Sequence, residues 1–304
     1  MNTPAYNIRN YRPADFNEYV RLKIAAEKLE PTGRCTSPRL LGDYLARPNY
    51  SPEQDLFVIE NTGSLVGYMD STPELTIGRV VLSCWVHPDH RRRGLASGLL
   101  GHALRRARES GARAAHININ EDNSAAKIVL TKFGFSFARK FLNLGLDLSA
   151  FTATEASQAI GHYRHLRHGE EGELTRIQNR CFAGAWGYNP NTITEISYRL
   201  KRNNCSPEDV ILAGDGDRIS AYCWMRLIAD GKEGQIFMLG VDPDYRGKLL
   251  GRGLLQAGLS YLKGKGAKTA KLTVDSNNKT ALALYQSLGF RVRAGSLWYE
   301  KALD

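Results

Sequence analysis

The sequence predicts an α+β protein that consists of two similar domains in tandem. The first observation behind this prediction is a strand, a basic turn and a helix that follow one another between residues 238 and 255. The second is that the same pattern occurs 155 residues earlier and keeps this offset without a gap from Val86 to Phe135. Because one offset extends over so long a stretch, the repeated unit is a whole domain and not a short solenoid element.

Composition and charge agree with two soluble domains. The 304 residues are 42% hydrophobic, and no apolar run is long enough to cross a membrane. The N-terminus lacks a signal-peptide pattern, so we expect a cytoplasmic protein. The net charge of +10 is shared equally by the two halves, which argues against a basic nucleic-acid-binding tail. We therefore expect no nucleic acid and no membrane as partners, and a monomer or homodimer.

The first domain is predicted to span residues 1–148. It opens with a strand at 8–11 and two helices at 14–28 and 38–46, and hairpin strands follow at 56–59 and 65–69 around a turn at Gly63. The remaining elements are a central strand at 79–86, a helix at 94–109, a strand at 116–120 and a helix at 125–132.

The second domain is predicted to span residues 163–304, after a linker at 149–162 where the charge falls and the pattern breaks. It repeats the order, with a strand near 163–167 and helices at 171–181 and 193–201. The loop at 182–190 has no counterpart in the first half and carries Trp186 and Tyr188. These aromatic residues either shape a substrate site or pack the loop onto the sheet.

The basic turn after each central strand predicts a site for a phosphorylated ligand. In the second domain Arg246, Lys248 and Arg252 surround the start of a helix, where unpaired backbone amides and the helix dipole attract anions. In the first domain Arg91, Arg92 and Arg93 occupy the same place. A polyanionic cofactor also accounts for the equal basic surplus of the two halves.

These motifs resemble the acetyl-CoA-binding core of the GNAT superfamily of N-acetyltransferases. The first copy reads Arg91-x-x-Gly94-x-Ala96, then Asn123 and Gly134-Phe135, and the second reads Arg246-x-x-Leu249-x-Gly251, then Asn278, Tyr285 and Gly289-Phe290. The resemblance covers both halves, and within the superfamily the tandem layout is most similar to mycothiol synthase. It implies two GNAT domains, each with a mixed, mostly antiparallel central sheet flanked by helices.

The resemblance also implies acetyl-CoA as cofactor and identifies the residues that would bind it. In the second domain these are Leu239, Val241, Arg246, Gly247, Lys248, Leu249, Gly251, Arg252, Gly253 and Asn278. In the first domain they are Val86, Arg91, Arg92, Arg93, Gly94, Ala96 and Asn123. Leu249 stands where the family usually has glycine, so its side chain either crowds the phosphate path or points aside.

Catalysis is expected in the second domain. Tyr285 occupies the family's general-acid position, and a phenol suits the protonation of a departing thiolate. The equivalent residue of the first domain is Leu130, so that domain is expected to be non-catalytic while keeping a cofactor-binding turn. The glutamate that acts as general base in mycothiol synthase aligns with Gln235, which cannot accept a proton. Glu233, two residues earlier on the same side of the strand, is the alternative base, unless a water chain replaces it.

The predicted activity is acetyl transfer from acetyl-CoA to the primary amine of a small molecule. One alternative is mycothiol synthase-type acetylation of a cysteinyl glucosaminyl-inositol, and another is a CoA-binding sensor or interaction protein without turnover. No metal is expected, because the five cysteines lack ligand spacing and the histidines at 162, 165 and 168 fall on a linker and strand. Cys84 and His87 are expected to be a buried thiol and a solvated turn residue.

Overall fold

The computed structural model describes residues 6–30, 36–152, 162–202, 205–215, 218–228 and 231–303. The chain forms two compact units by its contacts. Unit 1 contains Met1–Lys140 and Gly295–Asp304, and unit 2 contains Phe141–Ala294. Among the described residues, no helix is both long and apolar enough to span a membrane.

Unit 1 is a sheet covered by helices on both faces. Its elements are β1 (Tyr6–Asn10), α1 (Phe16–Leu29), α2 (Pro38–Leu45), α3 (Pro52–Asp55), β2 (Leu56–Asn61), β3 (Ser64–Glu74), β4 (Arg79–Val86), α4 (Leu95–Glu109), β5 (Ala114–Asn120), α5 (Ser124–Lys132) and the first residues of β6 (Ser136–Asp147). The β4–β5 pair is parallel, and the other pairs of the order β1-β2-β3-β4-β5 are antiparallel. This is the mixed, mostly antiparallel sheet that the resemblance implies.

Unit 2 repeats the plan. Its elements are the rest of β6, then β7 (His162–His165), α6 (Glu171–Phe182), α7 (Ile193–Leu200), β8 (Val210–Asp215), β9 (Arg218–Ile228), β10 (Glu233–Val241), α8 (Leu250–Gly264), β11 (Thr269–Asp275), α9 (Lys279–Ser287) and the start of β12 (Arg291–Ala302). Its strands lie in the order β6-β11-β10-β9-β8-β7, and only β10 and β11 run parallel.

Two hydrophobic cores enclose the sheet of unit 2. Leu254, Leu255 and Leu259 form one stripe of α8 and are fully buried against β9 and β10, so we call this side the α8 face. On the other side, the α6 face, α6 and α7 pack through Leu174 and Ile196 onto the sheet. Buried aliphatic stripes at helical spacing therefore hold both helix layers, each such side chain contributing on the order of 1.5–3 kcal/mol.

The last strand of each repeat completes the sheet of the other unit. Within unit 1, β12 pairs with β5 from Ser296↔Asn120 to Ala302↔Ala114, and within unit 2, β6 pairs with β11 from Thr269↔Asp147 to Asp275↔Phe141. This division differs from the predicted domains 1–148 and 163–304. Because β6 and β12 occupy equivalent places in the repeat, either strand can complete either sheet, and sequence order does not decide between them.

Candidate functional site

The parallel strands β10 and β11 separate in unit 2. They pair only from Glu233↔Thr269 to Gln235↔Lys271, and a β-bulge at Phe237 shifts the register of β10 against β9. Phe237 and Met238 consequently both pack on the α6 face, while Leu239 packs on the α8 face. Beyond Gln235, the edge of β10 that faces β11 has no ladder partner among the described residues, so its backbone groups can bind a ligand.

The unit 2 turn, residues 242–249, connects β10 to α8 and is held by ion pairs. The Arg180 Nε and Nη2 atoms each lie 2.6 Å from a carboxylate oxygen, of Asp242 and Asp244 respectively. Asp242 is 1% exposed, and its side chain also accepts a bond from the Asp244 backbone N at 3.0 Å. The hydrogen bond from Arg180 lowers the pKa of Asp242. Arg180 and Asp242 were not predicted, because their ion pair joins α6 to a turn that is distant in sequence.

Leu249 adopts the backbone conformation that glycine has in the first repeat. The unit 1 turn, residues 87–94, has positive φ at Arg92 (61°) and Gly94 (76°), and the unit 2 turn has it at Gly247 (79°) and Leu249 (61°). Each turn thus contains one glycine and one strained residue at matching positions. The Leu249 side chain is 62% exposed. The substitution of leucine for glycine has therefore left the backbone course of the turn unchanged.

The basic residues of the unit 2 turn and of the first turn of α8 have different partners. Arg246 donates from Nη2 to the Cys181 carbonyl oxygen at 3.0 Å, so its guanidinium braces the turn. Arg252 donates to Ser287 Oγ at 2.9 Å, and Lys248 Nζ lies 4.9 Å from the Tyr245 ring centroid. Leu239, Val241, Gly251 and Gly253 line the end of β10 and the first turn of α8. The structure therefore brings the predicted phosphate-binding residues of this domain to one helix start.

Tyr285 lies on α9 and is 8% exposed, in the core of the α8 face. Its ring packs edge-on against Phe290 with centroids 6.0 Å apart. Burial raises the pKa of Tyr285 above its ordinary value, which keeps the phenol protonated at neutral pH. Asn278 has a structural task at the start of the same helix, where its Oδ1 accepts from the Ala281 backbone N at 3.1 Å.

Glu233 is the first residue of β10, so the strand extends far enough for it to share a side with Gln235. Its Oε2 lies 2.7 Å from Lys271 Nζ, and both side chains are about a quarter exposed (27% and 28%). Three residues separate Glu233 from the bulge at Phe237, so it does not lie at the point where the strands part.

The loop that carries Trp186 and Tyr188 packs onto unit 2. The Tyr188 hydroxyl donates to Asn179 Oδ1 at 2.8 Å and accepts from Asn191 Nδ2 at 3.0 Å. The Tyr188 ring stacks on Phe182, with centroids 5.3 Å apart. Trp186 contacts the Phe141 ring at 6.1 Å. Tyr188 therefore fixes the loop with both its ring and its hydroxyl, in line with the packing alternative for this residue.

Unit 1 has the basic turn but lacks the β-bulge and the buried tyrosine of unit 2. The β3–β4 pairing contains no register shift. β4 pairs with β5 only from Arg79 to Leu82, so the parallel strands of unit 1 also separate before β4 ends at Val86. Leu130, 3% exposed, fills the place of Tyr285. Asn123 caps α5 by accepting from the Ala126 backbone N at 3.0 Å. Val86, Arg92, Arg93, Gly94 and Ala96 surround the start of α4 as predicted.

A carboxylate occupies the basic turn of unit 1. Arg91 Nη1 lies 2.7 Å from Glu30 Oε1, and the Trp85 Nε1 donates to Glu30 Oε2 at 2.7 Å. Arg91 also donates to the Val86 carbonyl oxygen at 2.8 Å. The first of the three arginines is thus already paired with an acidic side chain, whereas the guanidinium of the matching Arg246 bonds to carbonyl oxygens of Val241 and Cys181.

The remaining candidate residues do not form a reactive site. Burial raises the pKa of the Cys84, Cys181 and Cys223 thiols to about 12, so they are not nucleophiles at neutral pH. The His87 ring contacts Trp85 and His90 edge-on. In the part of the chain that the structure describes, no three His, Cys, Asp or Glu side chains converge as metal ligands. Cys35 and the His162 side chain lie outside the described residues.

The sequence is similar to a known family and to named relatives. The model for the acetyltransferase (GNAT) family matches residues 23–135 and 173–290. A mycothiol acetyltransferase from Saccharopolyspora erythraea is 31% identical over 254 residues, which cover 79% of this chain and 83% of the relative. A mycothiol acetyltransferase from Stackebrandtia nassauensis is 29% identical and is covered to 84%. The relatives therefore confirm the resemblance to mycothiol synthases across most of both chains.

Solved structures show the same fold. A GCN5-related N-acetyltransferase from Sphaerobacter thermophilus superposes with a TM-score of 0.75 at 21% identity, over 98% of this chain and 96% of that one. A tandem GNAT protein from the clavulanic acid biosynthesis pathway gives a TM-score of 0.76 at 15% identity, over 99% of both chains. With two matches to the family model and the fold of tandem relatives, the chain belongs to the acetyltransferase (GNAT) family and is an acetyl-CoA-dependent N-acetyltransferase.

Proposed function

We propose that unit 2 acetylates the primary amine of a small molecule and that unit 1 is non-catalytic. The observation that supports this assignment most is the β-bulge at Phe237, which occurs with the strand separation in unit 2 and has no equivalent in β4. Tyr285 supports it too, because the matching residue of unit 1 is Leu130. A protein that only sensed CoA could use the open strand edge for binding but would not need the general acid Tyr285.

The residues of unit 2 fit a thioester of CoA. Backbone groups of Leu239 and Val241 on the open edge of β10 would hold the cofactor arm, and amides from Leu249 to Gly253 would hold the pyrophosphate. Bound acetyl-CoA supplies the activated acetyl group. Tyr285 keeps its proton at neutral pH and would deliver it to the leaving sulfur. The Arg180–Asp242 pair keeps the turn in shape before the ligand arrives.

The acceptor must lose a proton before it attacks, and we propose Glu233 as the base. Its carboxylate is on the same strand side as Gln235 and lies 2.7 Å from Lys271 Nζ. Because Glu233 is set back from the bulge, a water molecule would carry the proton between the amine and the carboxylate. The relatives are named mycothiol acetyltransferases, so a cysteinyl glucosaminyl-inositol is the second candidate acceptor.

The proposed acid, Tyr285, and the proposed base, Glu233, are tested together by measuring the pH dependence of turnover with a panel of amines. Tyr285→Phe should lower kcat about 100-fold or more, because the phenol proton is lost without a change of shape. Glu233→Gln should remove the acidic limb of the kcat/KM profile. Leu130→Ala in unit 1 is the control and should leave kcat unchanged. Full turnover in Tyr285→Phe contradicts the proposal.

Cofactor binding by each unit is tested by calorimetry with acetyl-CoA on the full chain. Gly251 and Ala96 hold the same place in the first turn of α8 and α4, so Gly251→Glu and Ala96→Glu put a carboxylate at matched positions. We expect Gly251→Glu to abolish the binding that supports turnover and Ala96→Glu to leave turnover intact. Loss of turnover in Ala96→Glu alone contradicts the assignment of catalysis to unit 2.

A further inference from the structure

A group of buried nitrogen donors without acceptors lies on the α6 face of unit 2. Arg226 and Trp224 are two residues apart on β9, and Arg202 follows α7. The Nε atoms of Arg226 and Arg202 and the Nε1 atom of Trp224 are buried and have no hydrogen-bond partner in the described part of the chain. All three are N–H groups that can only donate, so what the group lacks is an acceptor.

The Arg226 guanidinium lies over an aromatic ring. Its central carbon lies 3.3 Å from the Phe237 ring centroid and 5.6 Å from that of Trp224. Phe237 is the bulge residue of β10, and Gln235 is the Cα partner of Arg226 across the β9–β10 ladder. Since directly opposed residues of antiparallel strands are about 5 Å apart, Arg226 is adjacent to the point where β10 and β11 separate.

The charge around Arg226 has one sign. Burial is the main cause that lowers its pKa, to about 10, and the neighbouring charges of Arg202 and Arg199 lower it further. Arg226 is still a cation at neutral pH. The other neighbour, Cys205, hydrogen-bonds to the Arg226 side chain, but burial raises the pKa of this thiol, so it provides no negative charge at neutral pH. Within the described ranges, no carboxylate lies within ion-pair distance of Arg226 or Arg202.

A buried cation without a counter-ion is unfavourable for folding. The donors and charges are complementary to a carboxylate or a phosphate, which arginine binds with two parallel hydrogen bonds. We propose that the acceptor amine of this enzyme carries an anionic group of this kind and that Arg226, with Arg202, binds it. This inference rests on the proposed catalytic function of unit 2 and adds the class of its substrate. Arg226 is then a specificity residue beside the acceptor nitrogen.

The test compares amines that differ only in the anionic group. Phosphoethanolamine is paired with ethanolamine, and tyrosine with tyramine, as acceptors for the full chain with acetyl-CoA. We expect the anionic member of at least one pair to be preferred, with the phosphate and carboxylate pairs showing which group fits. Arg226→Met should raise KM for that member about 10- to 100-fold and leave KM for its neutral partner unchanged. An equal change for both amines indicates a purely structural arginine and overturns the proposal.

A binding measurement separates this inference from the catalytic proposal. The same amines are titrated into the full chain, its Arg226→Met and Arg202→Met variants, and the Gly251→Glu variant whose cofactor turn is blocked. Binding of an anionic amine should be lost in both arginine variants and retained in Gly251→Glu, even if no turnover occurs. Arg218→Met, which removes an exposed arginine of the same strand, is the matched charge control. Binding that survives in Arg226→Met, or no binding of any anionic amine, overturns the inference.

Discussion

At the scale of single residues, the two repeats differ in which position of the basic turn carries the strained, non-glycine residue. Each turn needs two residues with positive φ, and the repeats place their single glycine at different positions, Gly94 in one and Gly247 in the other. The strained partners are Arg92 and Leu249. A residue with a β-carbon in this conformation destabilises the fold by about 1–2 kcal/mol. Both repeats contain one such residue, but at different positions of the turn.

Replacing the strained leucine should therefore stabilise unit 2. We expect Leu249→Gly to increase the free energy of unfolding by about 1 kcal/mol, because the exposed side chain contributes little packing and the strain is relieved. The measurement is urea unfolding, with hydrogen exchange of the α8 amides to assign the effect to unit 2. Arg92→Gly is the matched change in unit 1. A lower stability of Leu249→Gly would show that the side chain is needed for packing.

At the scale of elements, one inserted residue distinguishes β10 from β4. Eight residues of β4 oppose eight of β3, whereas nine residues of β10 oppose eight of β9. The extra residue, Phe237, turns the following side chains to their present faces. A single extra residue thus sets which side chains of β10 flank the strand edge on which the proposed cofactor site depends.

Deletion of Phe237 should convert β10 into a regular strand like β4. We expect turnover to fall about 100-fold or more while unfolding stays cooperative, because the β9–β10 ladder can close in the register seen in unit 1. Phe237→Ala, which removes the ring and keeps the bulge, should reduce turnover much less. Comparison of kcat for the two variants is the measurement. Equal losses would mean that the ring and not the bulge matters.

At the scale of the whole molecule, the strands that complete each sheet come from the opposite repeat. Leu303, near the end of the chain, is part of the unit 1 core, and its backbone N donates to the Arg113 carbonyl oxygen at 2.8 Å. Leu148, at the end of the first repeat, is part of the α8-face core of unit 2, and its N donates to the Lys268 carbonyl oxygen at 2.9 Å. The stability of each unit therefore depends on residues distant in sequence.

A matched pair of substitutions tests this strand exchange. Leu303→Ala should destabilise unit 1 by about 2 kcal/mol or more and expose the β5 amides to hydrogen exchange. Leu148→Ala should do the same to unit 2 and to the β11 amides. Each variant should leave the exchange of the other unit's strand nearly unchanged. If Leu303→Ala instead speeds exchange in β11, the strands are not exchanged in solution.

The sequence by itself determined the features that are local. The strand, turn and helix of each repeat are encoded by consecutive residues. The constant offset of 155 residues reveals the duplication and shows that Leu130 stands in the first repeat where Tyr285 stands in the second. Tertiary structure decided whatever depends on residues far apart. The Phe237 bulge exists only relative to β9, the Arg180–Asp242 pair and the Arg226 group join different elements, and β6 and β12 are alike enough for either sheet. Local patterns fix an element's type, whereas its partners depend on which distant surfaces can be buried together.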